Sequence, residues 1–319
     1  MASEFELIAR HFTRPCTHTV LGVGDDGAIV RPGAGMDLVV STDMLVAGTH
    51  FFDDTDPEDL GWKALAVNLS DLAAMGAQPR WAVLAAALPS ADEAWIAAFC
   101  RGFFGLAGRF EVDVIGGDTT RGPLNLAPTV FGEIPAGQAL TRSGARPGDD
   151  IWVSGSPGLA GLGLASLRGR VALDSAAGER CVRALQRPQP RIELGIGLRG
   201  LAHAAIDVSD GLLADLGHVL ERSGVGAEIR EADLPQDAAH AAPANPDIAR
   251  ECLLAGGDDY ELLFAAAPEQ RGVIAALGER LGLPLSRIGT ATVVPGELVV
   301  RGPDGGARTV ARRGYDHFG

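Results

Sequence analysis

Short apolar runs that end in glycine or an acid recur along the chain: DLVVSTDM around Asp43, VDVIGGDTT around Asp118, DIWVSG around Trp152 and AAIDVSDG around Asp207. Each reads as a buried or half-buried strand running into a loop. Between them, residues 59–75, 91–108, 211–222 and 268–281 are rich in Ala and Leu and read as helices. Both halves of the chain therefore mix strands with helices. The fold class that follows is α/β (α+β), not all-helical.

With 319 residues the chain is long enough for two hydrophobic cores. The stretch PAGQALTRSGARPGDD, residues 135–150, is rich in Gly and Pro without hydrophobic periodicity, so it is the expected domain connection. Two domains result, residues 1–140 and 141–319. An internal echo links them: AVNLSDLAAMG and AIDVSDGLLADLG both place Ser-Asp after an apolar run and before a Leu/Ala helix.

Composition narrows the function. The formal net charge of −14, with no basic cluster, argues against nucleic acid, because a polyanion is bound by basic side chains that displace its counterions. The longest greasy stretch, WAVLAAALP, falls far short of the roughly 20 residues that span a bilayer. No basic region followed by an apolar run opens the chain, so the cytoplasm is the expected location. Cys16, Cys100, Cys181 and Cys252 lie far apart without C-x-x-C spacing and read as free thiols. Lys63 is the sole lysine, and DLGWKALAV is neither a P-loop nor a kinase lysine strand. If the protein handles ATP, something other than lysine must neutralise the phosphates.

The acids supply that something. GVGDDG, residues 22–27, has the letters of a dinucleotide turn, yet Ile29, Val30 and the following RPGAG read as a strand and a turn, not the helix a Rossmann unit needs. Its two carboxylates belong to a wider set: Asp25 and Asp26, Asp43, Asp71, Asp118, Asp207 with Asp210, and Asp258, Asp259 and Glu261. Taken singly, Asp71 could cap a helix, Asp43 could close a turn, and Asp258 with Asp259 could begin one. Six such clusters in one chain are a different matter, because converging carboxylates repel unless cations sit among them. Magnesium suits them, taking one or two carboxylates per ion together with water and phosphate oxygens. The histidines show no H-E-x-x-H spacing that would point to zinc. An acidic site with several magnesium ions can hold ATP and stabilise phosphoryl transfer.

As a set, GVGDDGAIV, VVSTDMLVAGTHF, KALAVNLSDLAAMGAQP, VIGGDTTRGP, ALTRSGARPGD, AIDVSDGLLADLGH, GGDDYELLF and the terminal GYDHF resemble the thiamine-monophosphate kinase family of the aminoimidazole ribonucleotide synthetase-like superfamily. The resemblance covers essentially the whole chain. It implies a two-domain fold of mixed sheets flanked by helices, with N-terminal domains pairing in a homodimer. The first domain would bind ATP and magnesium, and the second would complete the active site. It implies phosphorylation of thiamine phosphate by ATP, with several magnesium ions required. Carried over by motif, Asp26, Ser41, Thr42, Asp43, Asp71, Asp118, Asp207 and Asp210 would be metal ligands, with Asp71, Asp118 and Asp210 central to catalysis. Gly117, Asp118, Arg142 and Ser209 would face the nucleotide, and His50, Asp258 and Tyr315 the thiamine phosphate.

The residue chemistry agrees with that assignment. Thiamine phosphate offers a phosphate for metal and a cationic ring for acids and aromatic faces, and Arg142 can grip a phosphate bidentately. A phosphate nucleophile needs no strong general base, so direct in-line transfer is expected. The family reads GGEDYEL where this chain has GGDDYEL, which puts the direct reach of Asp258 in question. Two alternatives stand beside the kinase: another ATP-using enzyme of the superfamily, and a non-catalytic metal-binding protein. Cys16 lacks the glycine- and lysine-rich surroundings of selenophosphate synthetase, and DVSDG lacks the alternating acids of an EF-hand.

Overall fold

The computed structural model describes residues 6, 8–243, 245–308 and 314–315. Within them the chain forms two compact units, one up to Leu72 together with Ala77–Gly137, the other Ala73–Gly76 with the described residues from Gln138 onward. Residues 316–318 of the terminal GYDHF lie outside the described residues.

The first unit runs through β1 (Thr19–Leu21), β2 (Ile29–Val30), β3 (Met36–Thr42), β4 (Leu45–Val46), α1 (Pro57–Ala74), β5 (Gln78–Leu88), α2 (Glu93–Arg109), β6 (Asp113–Arg121) and β7 (Asn125–Pro135). Its main sheet has the order β3-β7-β5-β6, with β4 also on β7. β5 and β6 are parallel, joined through α2, while β7 is antiparallel to both β5 and β3. β3, β5 and β6 consequently point the same way. Register puts Thr42, Thr129, Val83 and Gly116 in one row across the sheet. Asp43 and Asp118 therefore lie just past that row, toward the C-terminal ends of their strands, where open α/β sheets place ligands.

Helix α1 starts where the Asp56 carboxylate accepts the Glu58 and Asp59 backbone N–H groups. Its one interior glycine, Gly61, lets the helix pack against α2, since a Cβ there would lie 2.0 Å from Phe99 O, and Leu60, Leu65, Leu69 and Leu72 are buried with Asn68 and Ser70. The sole lysine, Lys63, is buried in the same helix. NLSD accordingly lies inside the helix that the sequence places over residues 59–75, and Asp71 is an interior helix residue, not a cap. The internal echo is not a structural repeat, since its second copy is a strand followed by a turn. No Gly or Pro interrupts KALAVNLSDLAA, so the helix simply continues through Asp71.

The second unit contains β8 (Asp150–Ser154), α3 (Leu159–Leu167), α4 (Ser175–Gln186), α5 (Ile192–Leu198), β9 (Ala202–Asp207), α6 (Leu212–Ser223), β10 (Gly226–Arg230), α7 (Pro246–Ala255), β11 (Leu262–Ala266), α8 (Arg271–Leu281), β12 (Leu285–Thr292), β13 (Leu298–Arg301) and β14 (Ala307–Arg308). The sheet order is β14-β13-β10-β12-β8-β11-β9, antiparallel except for the β10–β13 pair. Ile151, Val153, Leu216, Ile229, Leu263 and Ile288 form its core. The helix expected from residue 268 begins at Arg271, because Pro268–Gln270 forms a separate tight 3₁₀ turn. Among the described residues, no helix is long and apolar enough to cross a membrane.

Candidate active site

In the first unit, the end of β3 meets one face of α1. Ser41 Oγ donates to Asp71 Oδ2 at 2.5 Å, and the Asp43 backbone N–H donates to Asn68 Oδ1 at 2.7 Å. Asn68 is itself fixed, its Nδ2 donating to Ala64 O at 3.0 Å. Thr42 Oγ1 donates to Pro128 O at 2.9 Å and accepts from Thr129 Oγ1 at 3.0 Å. Ser41 and Asp71 are joined directly and Asp43 is tied beside them through Asn68, whereas the Thr42 hydroxyl turns to β7. Asp118 is exposed on β6, next to Gly117. Gly117 has φ +155°, and a Cβ there would sit 2.0 Å from Leu84 O, so no other residue fits against β5.

Asp26 occupies an exposed turn between β1 and β2, its N–H donating to Asp25 Oδ1 at 3.1 Å. His50 closes the turn after β4: the Val46 N–H donates to His50 Nδ1 at 3.0 Å, so the neutral ring carries its hydrogen on Nε2.

In the second unit, two loops zip together. Asp207 ends β9 opposite Leu262, Val208 N–H donates to Glu261 O, Tyr260 N–H to Val208 O, and Asp258 N–H to Ser209 O, each of these three bonds at 2.8 Å. A Cβ on Gly257 would lie 2.5 Å from Ser209 O, so glycine permits this approach. The Tyr315 N–H donates to Asp210 O at 3.0 Å. Asp207, Ser209, Asp210, Asp258 and Tyr315 therefore form one group. Arg142 is exposed outside that group, along the outer edge of β9: Ala205 N–H donates to Thr141 O at 2.9 Å, and Ser223 Oγ donates to Arg142 O at 3.2 Å.

Asp258 has φ +69°. Aspartate enters this left-handed region more readily than longer side chains, which gives a physical reason for its place in GGDDYEL. The turn leads straight into β11.

Three acids that the sequence did not mark as supports, the buried Asp215 and Glu261 and the half-buried Asp259, hold this group. Asp215 Oδ2 accepts the backbone N–H groups of Ser209, Asp210 and Gly211 at 3.0, 3.1 and 3.1 Å. Burial, with the neighbouring Asp210 charge, pushes its pKa up to about 7. Its position in the first turn of α6 was the available signal, because acids there favour exposed N–H groups. Asp259 accepts Gly158 N–H and Ala160 N–H at the start of α3, at 2.5 and 3.2 Å, and burial raises its carboxyl well above the usual range. Glu261 receives Ser154 Oγ at 2.6 Å and a bidentate Arg191 guanidinium at 2.6 and 2.5 Å.

Among the described residues, no three His, Cys, Asp or Glu side chains gather as a ready metal cage. The donor set still fits magnesium. Every donor at the end of β3 and α1 is an oxygen, and Asp26, Asp43 and Asp118 are exposed to water. A hard ion that keeps its waters and shares phosphate oxygens requires one or two carboxylates, not a cage of three.

Two α/β units, each with a mixed sheet ending in acidic loops, define the AIR synthase related class, and the sequence agrees. It matches the AIR synthase related protein N-terminal domain over residues 24–134 and the C-terminal domain over residues 146–301. Thiamine-monophosphate kinase of Escherichia coli is 46% identical over 320 residues, 99% of this chain and 98% of the relative. A crystal structure of thiamine-monophosphate kinase from Stenotrophomonas maltophilia is 49% identical with a TM-score of 0.86, covering 95% of both chains. AaThiL, solved in complex with AMPPCP and TMP, is 31% identical with a TM-score of 0.77, covering 93% of this chain and 92% of that one. The chain belongs to the thiamine-monophosphate kinase family.

Proposed function

We propose that the protein transfers the γ-phosphoryl group of ATP to thiamine monophosphate, giving ADP and thiamine diphosphate, the last step of thiamine diphosphate biosynthesis. The observation that carries this reading is the grouping of Asp207, Ser209, Asp210, Asp258 and Tyr315 on one pair of loops. The relatives' names and the AMPPCP and TMP complex of AaThiL support it.

Asp26, Ser41, Thr42, Asp43, Asp71, Asp118, Asp207 and Asp210 would hold magnesium, and Asp71, Asp118 and Asp210 would be the catalytic acids among them. Magnesium, when bound, would supply positive charge to the phosphates that the sole lysine, buried in α1, does not. Gly117 gives the nucleotide close access to the backbone beside Asp118, and Ser209 and Arg142 bind it from the second unit. His50, Asp258 and Tyr315 receive thiamine monophosphate, the acid and the aromatic ring suiting its cationic thiazolium.

A terminal oxygen of thiamine monophosphate forms the new bond to the γ-phosphorus as the bond to the ADP oxygen breaks. That oxygen is already ionised near neutral pH, so the side chains position and stabilise without needing to remove a proton. Domain 1–140 binds ATP and magnesium and pairs the protomers; domain 141–319 completes the site. Pairing is supported by β3, an edge strand whose alternate residues Met36, Leu38 and Val40 are exposed and apolar. Free thiols at Cys16, Cys100, Cys181 and Cys252 suit the reducing cytoplasm.

The test is ADP release with and without thiamine monophosphate, followed by stereochemistry with a chiral γ-phosphate. Release that depends on thiamine monophosphate, with inversion, is expected. Net retention would exclude direct transfer.

A further inference from the structure

The chain has two tyrosines, and both sit in the second unit's acidic group. Tyr315 is tied through its backbone to Asp210, and Tyr260 Oη donates to Asp258 Oδ1 at 3.2 Å. Tyr260 has φ +53° and Asp258 φ +69°, two of the three non-glycine residues with positive φ among those described. Such backbone is strained and persists only where surrounding contacts enforce it.

The enforcing contacts alternate with the strained residues. Asp259 turns inward to accept two N–H groups at the start of α3, and Glu261 turns inward to Ser154 and Arg191. Tyr260 N–H and Asp258 N–H are fastened to Val208 O and Ser209 O. With both neighbours drawn inward, Asp258 and Tyr260 stay half-buried and joined to each other. An aromatic ring bonded to a carboxylate is a receptor for a flat organic cation: the ring face attracts the charge and the carboxylate neutralises it.

We propose that Tyr260 is a specificity-determining residue, pairing with Asp258 to select the cationic ring of thiamine monophosphate. This rests on the kinase reading above. It adds a residue that does not handle the phosphate and assigns a role to the strained turn.

The experiment measures the affinity of the full-length protein for thiamine monophosphate and for benzyl phosphate, a phosphate with a neutral ring, by calorimetric titration. Tyr260→Leu and Tyr260→Phe are compared with the unaltered protein, with turnover and thermal midpoint measured in parallel. Leucine at this φ is as strained as tyrosine, so the turn itself is not relaxed. Tyr260→Leu is expected to weaken thiamine monophosphate binding about tenfold and benzyl phosphate binding by less than about threefold, with KM for ATP unchanged. Tyr260→Phe keeps the ring and is expected to stay within about threefold of the unaltered protein. Equal loss of both ligands in Tyr260→Leu, or unchanged thiamine monophosphate affinity, overturns the proposal. If the unaltered protein binds thiamine monophosphate selectively but does not phosphorylate it, the kinase reading fails while the selectivity comparison still decides the role of Tyr260.

Discussion

Asp71→Asn separates a functional carboxylate from a structural one. In the structure Ser41 Oγ donates to Asp71 Oδ2, and an asparagine oxygen can accept the same bond. What is lost is the charge. A hydrogen bond to a charged group contributes about 2 kcal/mol and a neutral one about 1 kcal/mol, so the fold should lose about 1 kcal/mol. For a chain of this size that lowers the thermal midpoint by about 2 °C. The loss in catalysis should be far larger, because an electrostatic group acting on the transition state is worth about 3 kcal/mol or more, at least a hundredfold in rate. The assay is ADP release in saturating magnesium, run beside a thermal scan of the same preparation. Near-normal turnover would refute a central role for Asp71. Turnover that falls only in step with the folded fraction would make it a structural residue.

Other positions give independent checks. Gly117→Ala would place a Cβ 2.0 Å from Leu84 O, so the β5–β6 ladder must shift; a loss of about 2 kcal/mol or more is expected in the denaturant midpoint. Arg191→Leu leaves the buried Glu261 carboxylate without its bidentate partner and should cost about 3 kcal/mol of stability, measured by urea unfolding. Asp113 tests the acid side: burial raises its pKa, but donors from Thr17, Thr19 and His18 outweigh burial and hold it below 3.8. Its contribution is therefore complete above pH 3.8 and lost as pH falls through the lower folded value, so amide exchange at Thr17 and His18 should accelerate only in strong acid.

Strand ends were legible at Asp43, just past β3, and at Asp207, the last residue of β9, where the apolar run stops; at Asp118 the strand continues through Arg121, because Thr119, Thr120 and Arg121 still pair with β5. Asp71 was legible both as an acid worth attention and as part of the helix read over residues 59–75; only the alternative of a cap was wrong. Ser-Asp reads as a cap only when the preceding residues stop being helical, and here they do not. The buried supports were harder to see. Asp258 and Asp259 are neighbours of one type, and only the left-handed backbone decides that one faces the Tyr260 hydroxyl while the other caps α3. Likewise Glu261 and Arg191 are 70 residues apart, so their pairing is a product of β11 and the start of α5 meeting in space.

The most direct measurement of the central claim is the fate of the γ-phosphate. With γ-labelled ATP, magnesium and thiamine monophosphate, the account predicts that label appears in thiamine diphosphate in equal amount to the ADP formed. Label recovered as inorganic phosphate, with thiamine monophosphate unchanged, would contradict it and place the protein with ATP-using enzymes that discard the phosphoryl group.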